Sequence, residues 1–267
     1  MPAILCPRCR KLINSEAPVC SFCGLRRPGM FGLANTLRRL GAQVDFARLI
    51  IFFCGGLYVL ALLVDPGAIF QPRDMMRMLA PSRRASLMFG MTGRVVLDAG
   101  HWWTVVTAIY LHGGLLHIAF NMLWVRQLGR VVEDIFGSFR LFIIFTVGGV
   151  TGFILSAMMG NALTLGASGS IFGLLAAAVE YGRRTGAQMF TRQFLQWALI
   201  LFIFGLVFPG VDNWAHAGGF AGGYGAAYLL GRDSGDEGLG TYMLAGFCLL
   251  ATVGAFLLQG MAMLSMR

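Results

Sequence analysis

The stretch TLGASGSIFG, residues 164–173, sets a serine among small residues at the mouth of an apolar run that continues LLAAAVEY. What a hydroxyl does there depends on what surrounds it, and composition answers that first. The chain has 267 residues, 57% of them hydrophobic and 12% charged, with a mean hydropathy of +0.71. Too few polar side chains exist to clothe a soluble globule of this size, so the chain reads as a membrane protein. Seven apolar stretches, at 46–64, 102–125, 141–159, 168–181, 194–208, 214–230 and 241–264, predict seven spans. Most approach the ~20 residues that a crossing helix needs. Forty-five residues, polar and basic in character, precede the first run, and no small-residue cleavage site follows it. That run is therefore expected to be a retained span and not a signal peptide.

Arg and Lys set the expected orientation. With the N-terminus inside, fifteen of the 21 basic residues fall on the cytoplasmic side, and five of the six outside lie in one loop. The excess predicts an N-in topology. The net charge of +9 is mostly a topology signal. It offers no sign of nucleic-acid binding, which would want basic residues interleaved with exposed aromatics on a soluble module.

The run that starts at Ser168 reaches only to about Tyr181 before Gly182, Arg183 and Arg184. Fourteen residues at ~1.5 Å each cover ~21 Å, less than the ~30 Å hydrocarbon core. With the arginines holding its cytoplasmic end, Ser168 is expected below the outer surface. Irregular backbone at 163–167 is tolerated at that depth only inside protein or along a water-filled cavity, so the serine is expected to face a wet pocket.

The N-in topology brings the starts of spans two, four and six to the same side. His112, His117 and Asn121 lie in HGGLLHIAFN on span two, and His216 lies in NWAHAGGFAGG at the start of span six. His117 and Asn121, four apart, share a helix face. Gly169 with Gly173, and Gly218 with Gly222, are small-xxx-small pairs that let spans four and six approach closely. That approach would bring His216 to the Ser168 hydroxyl, and no acidic residue in these spans is available to orient the histidine. The arrangement predicts a Ser–His dyad in which His216 is general base to the Ser168 nucleophile. The Ser168 N–H at a helix start, with His117 and Asn121, could supply donors to an oxyanion. Asn121 could instead bond across helices, Ser168 could be only a helix cap, and His112 stays open between a structural and an oxyanion role.

The N-terminal CPRCRKLINSEAPVCSFCG pairs Cys6 with Cys9 and Cys20 with Cys23, each across two residues. Two such pairs are the thiolate geometry of a tetrahedral, structural zinc site. Disulfides are the alternative, disfavoured in the reducing cytoplasm. The resulting division is a zinc-ribbon-like module at 1–28, a basic juxtamembrane linker at 29–45, a six-helix core at 46–231, and a linker with a seventh helix at 232–267.

HGGLLHIAFN, GASG followed by Gly173, and AHAGGFAGG, in that order, resemble the rhomboid family of intramembrane serine proteases. The resemblance covers about 46–230. It implies an all-α polytopic fold with a six-helix core, here six plus one, and a dyad falling on Ser168 and His216. It also implies oxyanion donors on His117 and Asn121, no cofactor for catalysis, and cleavage in or beside the transmembrane segment of a membrane-protein substrate. A multi-pass protein of a bacterial inner membrane follows, with the N-terminus cytoplasmic, the active site opening outward, and a possible cytoplasmic partner for the zinc module. Two departures stand out: Trp103 follows Trp102 where many members carry arginine, which puts that arginine's role in the first loop in doubt, and Phe172 stands where tyrosine is common. Glu133, in GRVVEDIFG, resembles a structural acid of the loop after span two. The Met-rich outer segment 65–101 is expected to lie partly in the membrane interface. A catalytically inactive relative that binds or escorts membrane clients is the other class in play. A transporter would show internal repeats, and none is visible.

Overall fold

The structure, a computed structural model, describes residues 3–6, 8–14, 16–28, 44–67, 78–208, 210–231 and 237–265. Nearly all of the linker at 29–45 and the FQPRDMMR part of the outer segment lie outside them. The chain opens with a small hairpin, β1 (Ala3–Leu5) against β2 (Leu12–Asn14), antiparallel with Ile4 opposite Ile13. The first long helix, α1 (Phe46–Val64), starts where the Asp45 carboxylate accepts the Arg48 amide at 2.8 Å, a side-chain cap for an otherwise orphaned donor.

Short pieces follow: α2 (Arg83–Met88), α3 (Arg94–Asp98), α4 (Thr104–Thr107) and a 3-10 turn at Ala108–Tyr110. Then come α5 (Leu115–Phe136), α6 (Ser138–Met158), α7 (Ser168–Thr185), α8 (Gln188–Val207), α9 (Asn213–Leu230) and α10 (Leu239–Ser265). Beyond the hairpin the described architecture is helical and multi-pass, with α6, α7 and α9 packed together at its centre. The protein is an integral membrane protein: a core buried among its own helices is ringed by apolar side chains that no protein covers, among them Phe52, Leu199, Leu206, Phe247 and Leu257.

Four described helices are long and apolar enough to cross a membrane alone, namely Phe46–Val64, Ser138–Met158, Gln188–Val207 and Leu239–Leu264, and the bent pair Thr104–Tyr110 with Leu115–Phe136 counts as a fifth. α7 and α9 fall short because they carry the polar and glycine-rich stretches. Protein replaces lipid around them: thirteen of the eighteen residues of α7 are buried.

The expected second span, 102–125, is corrected. Its first part turns through 92° before α5 begins, and Gly113 and Gly114 lie at the break. The helix starts at Leu115 and runs on past Arg126 and Arg130 to Phe136. Hydropathy registers apolar content but not the bend. Trp103 belongs to this pre-helical segment, where its indole N–H donates to Gln259 of α10 at 2.9 Å. Glu133 accepts the Ser138 hydroxyl across the α5–α6 corner.

The glycine pairing is also corrected in register. Gly169 and Gly173 of α7 meet Gly219 and Gly223 of α9, while Gly218 and Gly222 face Thr151 of α6. The same i,i+4 spacing one residue on is rotated by one helical position, enough to choose a different neighbour. A Cβ on Gly173 would stand 3.1 Å from the Gly148 Cα. The three central helices are thus in backbone contact, as small residues permit.

Candidate active site and metal centre

Residues 163–167 lead into α7 as irregular backbone whose polar groups are paired. Thr164 exchanges both backbone hydrogen bonds with Thr92, at 2.7 and 3.1 Å, and the Gly166 amide donates to the Ala108 carbonyl at 2.9 Å. Gly166 has φ +128°, and a Cβ there would lie 2.7 Å from His117 Nε2. Backbone conformation and space both require glycine two residues before the serine.

GASGS contains two serines that the structure separates. Ser170 is fully buried, and a Cβ on Gly149 of α6 would come within 2.5 Å of its hydroxyl. Ser168, the first residue of α7, is half-buried and makes no hydrogen bond through its side chain among the described residues. Of the two, Ser168 is the accessible hydroxyl.

His216 sits in the first turn of α9, 4% exposed. The Gly169–Ala215 contact, 3.2 Å from a Gly169 Cβ to the Ala215 carbonyl oxygen, brings the two helix starts together beside Ser168 and His216. Phe172, one turn beyond Ser168, stacks on the imidazole with centroids 4.2 Å apart and planes 13° off parallel. His216 Nε2 is buried with no hydrogen-bond partner among the described residues, so no hydrogen bond joins it to Ser168.

Nδ1 of His216 has a partner that sequence reading missed. It lies 3.0 Å from Asn213 Oδ1, while the Asn213 amide nitrogen donates to the Phe202 carbonyl of α8 at 3.2 Å. The donation to Phe202 assigns nitrogen and oxygen of the amide, and an amide oxygen can only accept. Nδ1 therefore carries the proton and Nε2 is left as the acceptor. Among the described residues no carboxylate hydrogen-bonds the ring. The nearby Asp212 instead caps α9, accepting the Ala215 amide at 3.0 Å and the Asn161 amide at 2.7 Å, together with the Ser156 hydroxyl. The available signal was the three-residue spacing within NWAH.

His117, in the first turn of α5, accepts the Gly113 amide at Nδ1, 3.3 Å. As a neutral ring it then holds its proton on Nε2, the nitrogen against Gly166. Asn121 is buried, and its amide donates to the His117 carbonyl at 2.7 Å, leaving the second amide hydrogen free. His112 is buried edge-on to His117 at 5.1 Å, and neither ring nitrogen has a hydrogen-bond partner among the described residues. The structure thus sets His117 against Gly166, two residues before Ser168, brings the helix starts that carry Ser168 and His216 into contact through Gly169 and Ala215, and puts Asn121 one turn along α5 from His117.

The N-terminal module is a second centre. The Sγ atoms of Cys6, Cys9, Cys20 and Cys23 all lie within 4.8 Å of one another, with Cys6 to Cys23 at 3.6 Å and Cys9 to Cys20 at 3.7 Å. Zinc–sulfur bonds of ~2.3 Å in a tetrahedron put sulfurs about 3.8 Å apart, so the four fit a metal ion. They are too far apart for disulfides, and all are free thiols. The two knuckles repeat each other. Cys6 N bonds to Lys11 O and Arg10 N to Cys6 O, just as Cys20 N bonds to Leu25 O and Gly24 N to Cys20 O. Arg10 and Gly24 turn at positive φ, 56° and 72°. The Cys9 amide, with further amide and thiol hydrogen bonds, lowers the Cys6 thiol to about 6 against the cost of burial. At Cys23 the Leu25 amide pulls downward, but burial and the neighbouring sulfurs together push the thiol up to about 12. Four thiolates this close ionise together only around a cation.

Comparison with known proteins bears on both centres. The family model described as Rhomboid domain matches residues 99–233. The chain is 34% identical over 177 residues to "Rhomboid protease GluP" of Bacillus subtilis (strain 168), covering 65% of this chain and 34% of that protein. It is 31% identical over 175 residues to "RHOMBOID-like protein 5" of Arabidopsis thaliana, covering 60% of this chain and 54% of that protein. It is 29% identical over 174 residues to "Rhomboid-like protease 5" of Toxoplasma gondii, covering 62% of this chain and 18% of that protein. The chain thus spans from about a fifth to about half of the length of these relatives. The Cys-rich module lies outside the matched domain.

Proposed function

The chain belongs to the rhomboid family, and from that premise we propose that it is an intramembrane serine endopeptidase acting on transmembrane or juxtamembrane segments of membrane proteins. The observation that carries this reading is the state of His216: Nδ1 is held by Asn213 and Nε2 is a buried, unpartnered acceptor at the start of the helix that meets α7. Nucleophile–base contacts are often long before substrate binds.

In this mechanism Nε2 takes the proton as Ser168 Oγ attacks the peptide carbonyl carbon. The negative oxygen meets the Ser168 N–H, the Nε2–H of His117 and the free amide hydrogen of Asn121. The imidazolium returns the proton to the leaving amine. The same nitrogen then takes a proton from a water whose oxygen attacks the acyl carbon, and gives that proton to Ser168 Oγ as the ester bond breaks. Phe172 holds the ring plane through stacking. Incubating the detergent-purified protein with a panel of single-span proteins and sequencing the fragments tests the reading; cleavage within or beside a span supports it. Client binding without cleavage would favour the inactive-relative reading.

Asn121→Ala is expected to lower kcat by about 10²–10³ with KM little changed, because its donor acts when negative charge appears. Steady-state kinetics check this. Lost affinity with intact kcat would put Asn121 in substrate binding instead.

The same reading takes residues 1–28 as a cytoplasmic module folded on one structural zinc, 29–45 as linker, 46–231 as protease core and 232–267 as linker with an added helix. Ser168 opens to the extracytoplasmic side, and the membrane is a bacterial inner membrane. A closed four-thiolate site leaves no position for water, so the metal supplies folding and no chemistry. One zinc per chain is expected by metal analysis, lost on Cys6→Ser with Cys9→Ser while peptidase activity is retained. Zinc-free purified protein would contradict the assignment.

A further inference from the structure

The seventh helix carries a polar side chain that the mechanism does not use. Gln259 of α10 is 6% exposed on a helix whose other faces present Leu250, Leu257 and Met261 outward. Its carboxamide is fully engaged: Nε2 donates to the Leu87 and Met88 carbonyls, both at 3.0 Å, and Oε1 accepts the Trp103 indole at 2.9 Å. A polar group at membrane depth is costly and is retained where its bonds are made. These bonds all fall on the segment between α1 and α5, at the end of α2 and just before α4.

From that segment hydrogen bonds run to residues 161–166. Thr107 Oγ1 donates to the Gly90 carbonyl at 2.7 Å, and Thr104 Oγ1 donates to Thr92 Oγ1 at 2.9 Å. The backbones of Thr92 and Thr164 pair, Arg94 N donates to Asn161 O at 2.8 Å, and Gly166 N donates to Ala108 O at 2.9 Å. Two residues beyond Gly166 is Ser168. We propose that Gln259 is a positioning residue: through Leu87, Met88 and Trp103 the added helix clamps the 87–107 segment, and that segment holds residues 164–166, hence Ser168, in register with His117 and His216. The proposal rests on Ser168 being the nucleophile. It gives the seventh helix a part in the site without contact with the substrate.

The test uses the full chain. Gln259→Leu keeps the volume and removes all three bonds. It is expected to slow kcat and fluorophosphonate labelling of Ser168 by about 10–100-fold with KM little changed, the size of effect a misplacement of about 1 Å produces. Amides of Thr92, Arg94, Thr164 and Gly166 should exchange hydrogen faster than in the wild type. Thr92→Val, combined with it, should give a double variant no slower than the slower single one, because both break one path. Unchanged labelling, unchanged exchange at those four amides, or additive effects would each overturn the proposal. If Gln259→Leu does not fold, Trp103→Phe removes only the indole bond and should raise the same exchange. A wild type that labels nowhere at Ser168 would sink the protease reading, and the exchange measurement would still decide the clamp.

Discussion

Ser168→Ala is expected to reduce cleavage by about 10⁵–10⁶-fold while leaving the protein folded and the helices inserted. Among the described residues its hydroxyl has no hydrogen-bond partner, and Ser168 is half-buried, so its loss should change stability by only about 0.5 kcal/mol. Its loss to chemistry is total, since no other group reaches the carbonyl in the proposed mechanism. His216→Ala should fall to a comparable level, and the double variant no further, because nucleophile and base act as one unit. Rates on a single-span substrate, read beside thermal midpoints in detergent, check both. Normal turnover by Ser168→Ala would end the assignment.

Gly219→Ala should be nearly as damaging for a mechanical reason. A Cβ there would overlap the Gly169 carbonyl oxygen, a backbone atom that cannot swing aside as a side chain can. α7 and α9 would have to separate at the level of Ser168 and His216. Overpacking of this kind costs about 1–3 kcal/mol, and the misplacement should lower kcat about 10²-fold. Gly225→Ala, on the same helix but facing open space, is the control: it should leave kcat unchanged and cost no stability. Equal activity of the two variants would mean that the close crossing does not set the dyad.

The two glycine variants also mark where sequence reading stops. The small-xxx-small spacing announced a close crossing, but Gly218 with Gly222 and Gly219 with Gly223 have the same spacing. Only the packed structure says which pair faces α7. Ser168, His117, Asn121 and His216 could be nominated from sequence as candidates because polar groups are costly in apolar spans and stand out there. Asn213 was not, since its role depends on a carbonyl of α8, Phe202, that fixes which way its amide points. Gln259 meets Trp103 across 156 positions of chain, a contact no local pattern encodes. The span at 102–125 failed for a related reason: an apolar run keeps hydropathy high whether its backbone is straight or turns through a right angle, as it does here.

The most direct test of the central claim is the site of covalent capture. The purified protein would be reacted with a fluorophosphonate, digested and mapped by mass spectrometry, with His216→Ala treated alongside. One adduct per chain on Ser168, absent from His216→Ala, is the expected result. An adduct on the buried Ser170, or cleavage of substrate by a protein that carries no adduct at Ser168, would contradict it.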